Sequence, residues 1–455
     1  MEQITPATKQ PILNVIDLTF RHPGSSQPTL SGVNLTVYQG ELVLIAGATG
    51  SGKSTLLNCV AGIAPNHTGG AFSGRIVYEG TDITQLSVRQ RSQSFCTLLQ
   101  NVELQIFTDQ VWEEVVFGLE NWQIPPQQIP ALANAAIHEF GLAAQRQWLI
   151  QQLSAGQKQR LLIACLLTLG QPVLLLDEPL AYLDASGVEQ LLHLLRSRVN
   201  QGQTVLLVEH RIEAVRRICD RVFSVRDGQL LEQSPSTVPP EINSVVLPQP
   251  FISSVLLLQT QDLSWNGYPP FPDLQVHVGE TVLLKGDNGC GKTTLLKLLS
   301  GLLKPTTGRL EILGREMSKR SVVEIAAVVG FVLQNPNHQL FADSVRSEVL
   351  QPGVSLDRAD TLLEQLSLKE FAEQHPQSLS QGQKRRLALG AVLARQPQIC
   401  LLDEITVGQD PHSLALMLQV LRQFTQQGGA LILTSHDPIS AAALQARQID
   451  ISFVA

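Results

Sequence analysis

The sequence predicts an α/β fold in which two similar units follow one another, each with a mostly parallel core sheet. Short apolar runs such as ELVLIAG, PVLLLDE and TVLLVEH are typical of buried parallel strands. Intervening stretches such as STLLNCVAGI and VEQLLHLLRSRV carry apolar residues at helical spacing. Five motifs occur twice in the same order, and three pairs keep one spacing: Ser154 to Ser380, Asp177 to Asp403 and His210 to His436 are each 226 residues apart. This register indicates a tandem duplication.

The chain of 455 residues is long enough for two or three domains that each bury a core. We predict a first domain at 13–231, a linker at 232–253 and a second domain at 254–455. The linker is rich in Pro and Ser and lacks helical periodicity. More helical stretches, roughly 100–155 and 334–380, indicate a helical subdomain inserted in each unit.

Composition favours a folded protein, with 16% charged and 44% hydrophobic residues. The net charge of -7 argues against nucleic acid as the main partner, because phosphate binding usually needs basic surface. The six cysteines form no CxxC pair, so we expect reduced thiols. We expect no signal peptide, and no apolar run reaches the ~18 residues of a spanning helix. A role at a membrane would therefore need another chain to cross it.

A glycine-rich phosphate loop is the strongest single motif, GATGSGKST from Gly47 and GDNGCGKTT from Gly286. Glycines permit a tight turn whose N–H groups face phosphate, and the following helix adds its positive N-terminus. The lysine is predicted to reach the β- and γ-phosphates, and the next hydroxyl to ligate Mg²⁺. The predicted ATP-binding residues are Gly47, Gly50, Ser51, Gly52, Lys53, Ser54 and Thr55, and Gly286, Asn288, Gly289, Cys290, Gly291, Lys292, Thr293 and Thr294.

An acidic pair ends an apolar strand in each unit. Asp177 and Asp403 are predicted to hold magnesium through water, and the glutamate that follows to polarise the attacking water as general base. A histidine after a later strand can hydrogen-bond the γ-phosphate. The alternatives are an acidic strand cap and a core histidine. The predicted catalytic residues are Glu178, His210, Glu404 and His436.

The motifs LSAGQ and LSQGQ place a serine and a glycine before an amphipathic run. This arrangement offers a hydroxyl, backbone N–H groups and a helix N-terminus to an anion. Because each unit already has a phosphate loop, we expect each signature to serve the nucleotide of the other unit, head to tail. The predicted signature residues are Ser154, Gly156 and Gln157, and Ser380, Gly382 and Gln383.

Together these motifs resemble the ATP-binding cassette (ABC) ATPases over nearly the whole chain, with Walker A, Q-loop, LSxGQ signature, Walker B, D-loop and H-loop present twice. The resemblance implies an ATP hydrolase with two P-loop NTPase cassettes that pair within one chain. It adds an antiparallel β subdomain and a helical subdomain to each core sheet. It also makes Gln100 and Gln334 nucleotide- and metal-binding residues. The Mg²⁺ set is then Ser54, Gln100, Asp177, Thr293, Gln334 and Asp403.

A narrower resemblance follows each Q-loop glutamine. The stretches QNVELQIFTDQVWEEVVFGLEN and QNPNHQLFADSVRSEV are similar to the corresponding stretch of energy-coupling factor (ECF) transporter ATPases, the cobalt, nickel and vitamin importers. In that family it faces the coupling helices of the transmembrane subunit. The resemblance implies a peripheral motor on the cytoplasmic face of a bacterial inner membrane. Its partners would be a transmembrane coupling subunit and a small membrane substrate-binding subunit, and its cargo a vitamin, vitamin precursor or transition-metal ion.

Two other functions stay open. The fused ATPases of sugar importers are also duplicated, but typically with a degraded second phosphate loop or catalytic glutamate, whereas Lys292 and Glu404 are present. Soluble ribosome-associated tandem cassettes carry a long charged interdomain helix and a signature that ends in Glu. This linker is short and nearly uncharged, and the signatures end in Gln157 and Gln383.

The two copies differ at two places in the family pattern. His22 in FRHPG stands where an aromatic ring stacks on adenine, and Gly267 aligns there in the second copy. Trp265 or Tyr268 could substitute, although Trp265 fits a core role better. The second D-loop, DEITVGQD, has Gln409 in place of the usual leucine, so the two sites are expected to hydrolyse ATP at different rates.

Overall fold

A computed structural model describes residues 10–233, 252–286, 289–406, 409–435 and 438–451. The chain divides into two compact units, Met1–Pro239 and Pro240–Ala455. The division falls in the predicted linker, most of which lies outside the described residues. The last strand of the first unit runs to Gln233, two residues beyond the predicted limit at 231.

The elements of unit 1 follow the predicted alternation of strands and helices. Its strands are β1 (Pro11–Arg21), β2 (Leu30–Tyr38), β3 (Leu42–Ala46), β4 (Ala71–Tyr78), β5 (Thr81–Asp82), β6 (Phe95–Leu98), β7 (Val173–Asp177), β8 (Thr204–Val208), β9 (Arg221–Arg226) and β10 (Gln229–Gln233). Its helices are α1 (Lys53–Ala61), α2 (Val88–Arg91), α3 (Val111–Asn121), α4 (Ile129–Glu139), α5 (Ala155–Thr168), α6 (Ala185–Asn200) and α7 (Ile212–Arg216).

The core sheet of unit 1 has the strand order β10-β9-β3-β8-β7-β6. All neighbours from β9 to β6 are parallel, and β10 alone in this sheet is antiparallel. Strands β3, β7 and β8 are buried along their whole length, which explains why they read as unbroken apolar runs. A separate antiparallel sheet has the order β2-β1-β4-β5. Helices α3, α4 and α5 contact one another and form the helical subdomain, so the predicted three-part architecture is confirmed.

Unit 2 repeats this architecture. Its strands are β11 (Leu256–Ser264), β12 (Gln275–His277), β13 (Thr281–Lys285), β14 (Thr307–Ile312), β15 (Arg315–Glu316), β16 (Val329–Val332), β17 (Ile399–Asp403), β18 (Ala430–Thr434) and β19 (Arg447–Asp450). Its helices are α8 (Lys292–Leu299), α9 (Val322–Ala326), α10 (Val345–Val349), α11 (Leu356–Gln365), α12 (Gln381–Ala394), α13 (Pro411–Gln426) and α14 (Pro438–Ala443). The parallel core sheet has the order β16-β17-β18-β13-β19, and the antiparallel sheet β12-β11-β14-β15.

Candidate nucleotide sites

The phosphate loop of unit 1 joins the end of β3 to the start of α1. Gly47 leaves the strand with φ +141°, and a Cβ there would lie 2.7 Å from the carbonyl oxygen of Val225, so glycine is required. Lys53 begins α1 and is 4% exposed. Its Nζ donates to the carbonyl oxygens of Gly47 and Ala48, each at 2.8 Å. The ammonium group is therefore held against the loop backbone at a helix N-terminus.

The phosphate loop of unit 2 is built in the same way. Gly286 has φ +146°, and a Cβ there would clash with the carbonyl oxygen of Ile451. Lys292 begins α8, and its Nζ donates to the Gly286 carbonyl oxygen at 2.6 Å. The Sγ atom of Cys290 lies 4.0 Å from the same Nζ. Asn288 lies outside the described residues.

The other predicted loop residues occupy the same turn and the first helical turn. Four further glycines have φ between +81° and +106°: Gly50, Gly52, Gly289 and Gly291. The hydroxyl side chains that follow the lysines belong to the first turns of α1 and α8: Ser54, Thr55, Thr293 and Thr294. Within the described part of the chain, the buried Oγ of Ser51 has no hydrogen-bond partner. A phosphate oxygen would satisfy this hydroxyl.

Glu178 is the centre of the candidate catalytic group in unit 1. It follows the last residue of β7 and has φ +51°, a left-handed backbone that non-glycine residues seldom adopt and that often occurs at functional sites. The Gln100 Nε2 donates to its Oε1 at 2.8 Å, and His210 Nε2 lies 3.3 Å from the same oxygen. Three residues far apart in sequence therefore meet at one carboxylate.

The two adjacent carboxyls of unit 1 differ in their tendency to ionise. Burial and the charge of Glu178 raise the pKa of Asp177 to about 7, against a hydrogen bond from Ser54. Burial alone would also raise the pKa of Glu178, but the hydrogen bonds from His210 and Gln100 outweigh it and lower that pKa. The Asp177 Oδ1 is buried and has no hydrogen-bond partner among the described residues. Glu178 is thus the ionised member at neutral pH, and Asp177 has a free acceptor.

Unit 2 places Gln334 on Glu404 in the same way, with Nε2 donating to Oε2 at 2.8 Å. Glu404 has φ +48°, which matches Glu178. His436 lies outside the described residues, so its place beside Glu404 stays a prediction.

The strand-end aspartate of unit 2 has more partners than its counterpart. Asp403 accepts hydrogen bonds from Thr293 Oγ1 at 2.9 Å and from Thr434 Oγ1 at 2.8 Å. Burial raises the pKa of Asp403, and these hydroxyls oppose the shift. Val208 occupies the position of Thr434 in unit 1, which is why Asp177 keeps an unpaired oxygen there.

Each signature forms a capping box at the start of a helix. Ser154 Oγ accepts from the Gln157 N–H at 3.2 Å, and Gln157 Oε1 accepts from the Ser154 N–H at 2.9 Å. In unit 2 the same two bonds measure 3.3 and 2.8 Å between Ser380 and Gln383. Gly156 and Gly382 lie buried in the first turns of α5 and α12. Among the described residues, no hydrogen bond joins these signature residues to the phosphate loop of the same unit.

The candidate adenine positions differ between the units. His22 is exposed beside the phosphate-loop helix, with Nε2 3.2 Å from Thr55 Oγ1. Its ring meets Phe20 edge-on at 5.0 Å. In unit 2, Trp265 packs against the core, as Phe20 does, and Tyr268 stacks on it at 6.4 Å with 55% exposure. Tyr268 is therefore the exposed ring that this strand end offers.

The loop after each Q-loop glutamine is fixed by two side chains whose roles the sequence does not reveal. Gln105 Oε1 accepts from the Leu99 N–H at 2.7 Å, and its Nε2 donates to the Thr97 carbonyl oxygen at 2.9 Å. Glu114, 4% exposed, accepts from the Thr108 N–H and hydroxyl, both at 2.8 Å. The loop is therefore tied to β6 at one end and to α3 at the other.

The corresponding loop of unit 2 has matching ties. Gln339 Oε1 accepts from the Leu333 N–H at 3.1 Å, and Glu348 accepts from the N–H groups of Phe341 and Ala342 at 2.8 Å. Both loops hold an aromatic ring in solvent: Phe107 is 71% exposed and Phe341 81%. Each unit therefore carries a large exposed ring at the same place, on a loop that is hydrogen-bonded at both ends.

Comparisons with known proteins agree with the fold and motifs. The ABC transporter family matches residues 30–181 and 272–407. A Methanosarcina acetivorans protein named as an ABC transporter ATP-binding protein is 30% identical, over 96% of this chain and 84% of that protein. The structure of cbiO1 from Clostridium perfringens, part of the ABC transporter complex cbiONQ, is 31% identical with a TM-score of 0.44, over 50% of this chain and 90% of that chain. An archaeal ribosome recycling factor, solved with a ribosomal stalk protein, is 20% identical with a TM-score of 0.64, over 95% of this chain and 87% of that chain.

The fold and the repeated motifs define a tandem P-loop ATPase. The chain belongs to the ABC transporter family and is an ATP-binding, ATP-hydrolysing protein with two cassettes. The likeness to the recycling factor shows the fold alone. Across the described residues, no helix has both the length and the hydrophobicity needed to cross a membrane.

Proposed function

We propose that this protein is the ATP-hydrolysing motor of an ECF-type importer, and that it drives uptake through separate membrane subunits. The observation that carries the proposal is the pair of exposed rings, Phe107 and Phe341, each held by a loop that begins at the glutamine contacting the candidate general base. This arrangement supports the proposal, because an exposed ring and a residue at the candidate hydrolysis site then share one continuous segment in each unit. The motif around the rings resembles that of ECF ATPases.

In the proposed reaction, the ammonium groups of Lys53 and Lys292, which are held against the loop backbone, bind the β- and γ-phosphates of ATP. Glu178, the ionised carboxyl of unit 1, and Glu404 in unit 2 accept a hydrogen bond from the attacking water and polarise it. Gln100 and Gln334 keep those carboxylates oriented through the 2.8 Å bonds described above. We assign His210 and His436 to the γ-phosphate, and His22 to the adenine of the first site.

The strand-end residues fit a magnesium ion. Asp177 has a buried, unpartnered carboxylate oxygen, and hydroxyl and amide oxygens lie on the neighbouring elements. Oxygen donors are the ligands that Mg²⁺ prefers. The residues that would hold it are Ser54, Gln100 and Asp177 in unit 1, and Thr293, Gln334 and Asp403 in unit 2. When bound, Mg²⁺ supplies positive charge against the β- and γ-phosphates.

A hydrogen bond links the loop that carries each ring to a signature helix. Glu103, in the short turn Val102–Gln105 after Gln100, accepts from Lys158 Nζ of α5 at 3.3 Å. In unit 2, Asn337 Oδ1 accepts from Lys384 Nζ of α12 at 2.9 Å. A change at the general base can thus move the ring and the signature together. We propose that the two signatures complete the opposite sites, so that ATP binding and hydrolysis close and reopen the pair.

The partners in this proposal are a transmembrane coupling subunit and a small membrane protein that selects the cargo. The motor is held on the cytoplasmic face of the membrane through them. The cargo is a vitamin, a vitamin precursor or a transition-metal ion.

The test is capture of partners from native membranes in mild detergent, with the tagged full chain and mass spectrometry. We expect a polytopic membrane protein together with a small, very hydrophobic one. The double variant Phe107→Ser/Phe341→Ser should lose both and keep its ATPase rate. Val323→Ser is the matched control, since Val323 is an apolar side chain with 80% exposure on α9, outside the loops. Recovery of ribosomal proteins without a membrane partner, or equal capture by the double variant, would overturn the proposal.

A further inference from the structure

A buried carboxylate next to the H-loop histidine is used by none of the motifs above. Glu209 is 3% exposed and lies between the end of β8 and His210. Its Oε1 accepts from the Leu180 N–H at 2.7 Å. Its Oε2 accepts from the N–H groups of His210 at 3.0 Å and Arg211 at 3.3 Å. One side chain thus joins the backbone of the H-loop to the backbone that follows Glu178.

A second bond joins the same two segments. The Arg211 guanidinium donates to the carbonyl oxygen of Leu183 at 3.2 Å, one residue before Asp184. Asp184 in turn caps α6 by accepting from the Gly187 N–H at 2.7 Å. Two residues of the H-loop, Glu209 and Arg211, are therefore hydrogen-bonded to the D-loop, one at Leu180 and the other at Leu183. Between them, His210 Nε2 lies 3.3 Å from Glu178 Oε1.

A carboxylate is a costly choice for a purely structural link here. Burial raises the pKa of Glu209, and the nearby charge of Glu178 raises it further, while Arg211 and the N–H groups of Leu180 and Arg211 oppose the shift. A buried ionisable group beside a catalytic carboxylate is typical of functional sites. Hydrogen bonds to a charged acceptor are also stronger than neutral ones, so they hold a loop more rigidly.

Unit 2 makes the link differently. Ser435 stands at the position of Glu209, and Thr406 at that of Leu180. Their hydroxyl oxygens are 3.1 Å apart. The contact within this pair is a neutral hydrogen bond between two hydroxyls, where unit 1 has a carboxyl that accepts from three backbone N–H groups. The two units therefore lock the same segments with different chemistry.

We infer that Glu209 is a positioning residue for hydrolysis in unit 1, which sets the H-loop histidine against Glu178 by clamping the H-loop to the D-loop. It touches neither nucleotide nor water in this role. The inference rests on the proposed roles of Glu178 and His210. It predicts that loss of the clamp slows the chemical step while ATP binding at the phosphate loop persists.

The test is steady-state ATPase of the full chain carrying Glu209→Gln, in the wild-type and in the Glu404→Gln background. The second background confines turnover to unit 1. We expect kcat to fall about tenfold there, the size of one lost charge-assisted bond, with KM for ATP within about twofold. If Glu404→Gln alone stops turnover, hydrolysis in the two units is obligately coupled, and the same fall is expected in the wild-type background.

Glu41→Gln is the matched control, because Glu41 is a buried carboxyl of unit 1 (2% exposed) that lies outside the candidate site. Glu41 accepts a hydrogen bond from the Tyr38 N–H at 3.0 Å. The Glu41→Gln variant should lower the melting temperature and leave kcat unchanged.

Introducing the hydroxyl pair of unit 2, Thr406 and Ser435, at the equivalent positions Leu180 and Glu209 tests whether a different link between the two loops restores activity. Glu209→Ser alone should lose activity, and adding Leu180→Thr should restore kcat to that of Leu180→Thr alone.

The inference is overturned if Glu209→Gln keeps its kcat, if KM rises with kcat unchanged, or if Glu41→Gln loses kcat equally. Glu178→Gln, measured in parallel, separates the two levels of the account. Full activity of Glu178→Gln would mean that the proposed base is wrong. A low kcat for Glu178→Gln together with a wild-type kcat for Glu209→Gln would reject the positioning role of Glu209 and leave the proposed base in place.

Discussion

Replacing Glu114 by Gln should loosen the loop that presents Phe107 while leaving the rest of unit 1 folded. The carboxylate of Glu114 accepts hydrogen bonds from three donors: the N–H of Phe107, which is shared between its two oxygens at 3.3 and 3.1 Å, and the N–H and hydroxyl of Thr108, both at 2.8 Å. The amide keeps one oxygen in place, so the bonds become neutral and do not all vanish. The variant thus isolates the charge of this side chain.

The magnitude follows from the difference between charged and neutral hydrogen bonds. Bonds to a charged group contribute roughly 1.5–3 kcal/mol and neutral ones roughly 0.5–1.5 kcal/mol, a loss of about 1 kcal/mol for each. For the three donors together, Glu114→Gln should lower the free energy of local opening of this loop by about 3 kcal/mol. That corresponds to roughly a hundredfold larger opening equilibrium constant, since about 1.4 kcal/mol is tenfold.

The assay is hydrogen–deuterium exchange of the Phe107 and Thr108 amides in the full chain. These amides should exchange about a hundredfold faster in Glu114→Gln, while amides of the core sheet keep their protection. Glu113→Gln is the control, because Glu113 is the neighbouring glutamate on the same helix and is less buried. Exchange at Phe107 within about threefold of that control would refute the reasoning.

Two further predictions concern stability. Because the pKa of Asp177 is about 7 in the folded protein, against 3.8 for an unperturbed aspartate, its protonated form is favoured on folding. In magnesium-free protein, the contribution of Asp177 to stability should therefore be lost as pH rises from about 4 to about 7, and the difference in thermal stability between the wild type and Asp177→Asn should change over that range; parallel curves would contradict it. Arg91, 4% exposed, donates to carbonyl oxygens of Cys59 and Val60 at the end of α1 at 2.9 and 2.8 Å. Arg91→Met should cost about 3–5 kcal/mol and lower the melting temperature by about 10 °C, and a shift under about 3 °C would show that these carbonyls find other donors.

The strands and phosphate loops are the parts that a single sequence predicts best. Strands β3, β7 and β8 are buried on both faces, so their residues are apolar almost without interruption and the pattern is visible. The phosphate loops are visible because the close approach of backbone at Gly47 and Gly286 excludes any side chain. Local requirements of this kind leave a local signal.

The clamps could not be predicted in the same way. Glu114, Gln105 and Glu209 act by accepting hydrogen bonds from backbone groups, which carry no sequence identity. A charged residue between an apolar strand and His210 is a weak signal, since exposed glutamates are common at strand ends. The contrast between Asp177 and Asp403 is equally hidden, because it depends on whether Val208 or Thr434 ends the neighbouring strand.

The most direct test of the account is ATP-driven uptake into proteoliposomes that contain the captured membrane partners and this chain. The account predicts uptake that requires ATP and stops in Glu178→Gln/Glu404→Gln. It predicts that Phe107→Ser/Phe341→Ser also stops uptake and yet hydrolyses ATP at the wild-type rate. Uptake that survives loss of both exposed rings, or hydrolysis that responds to ribosomes and not to any membrane partner, would contradict it.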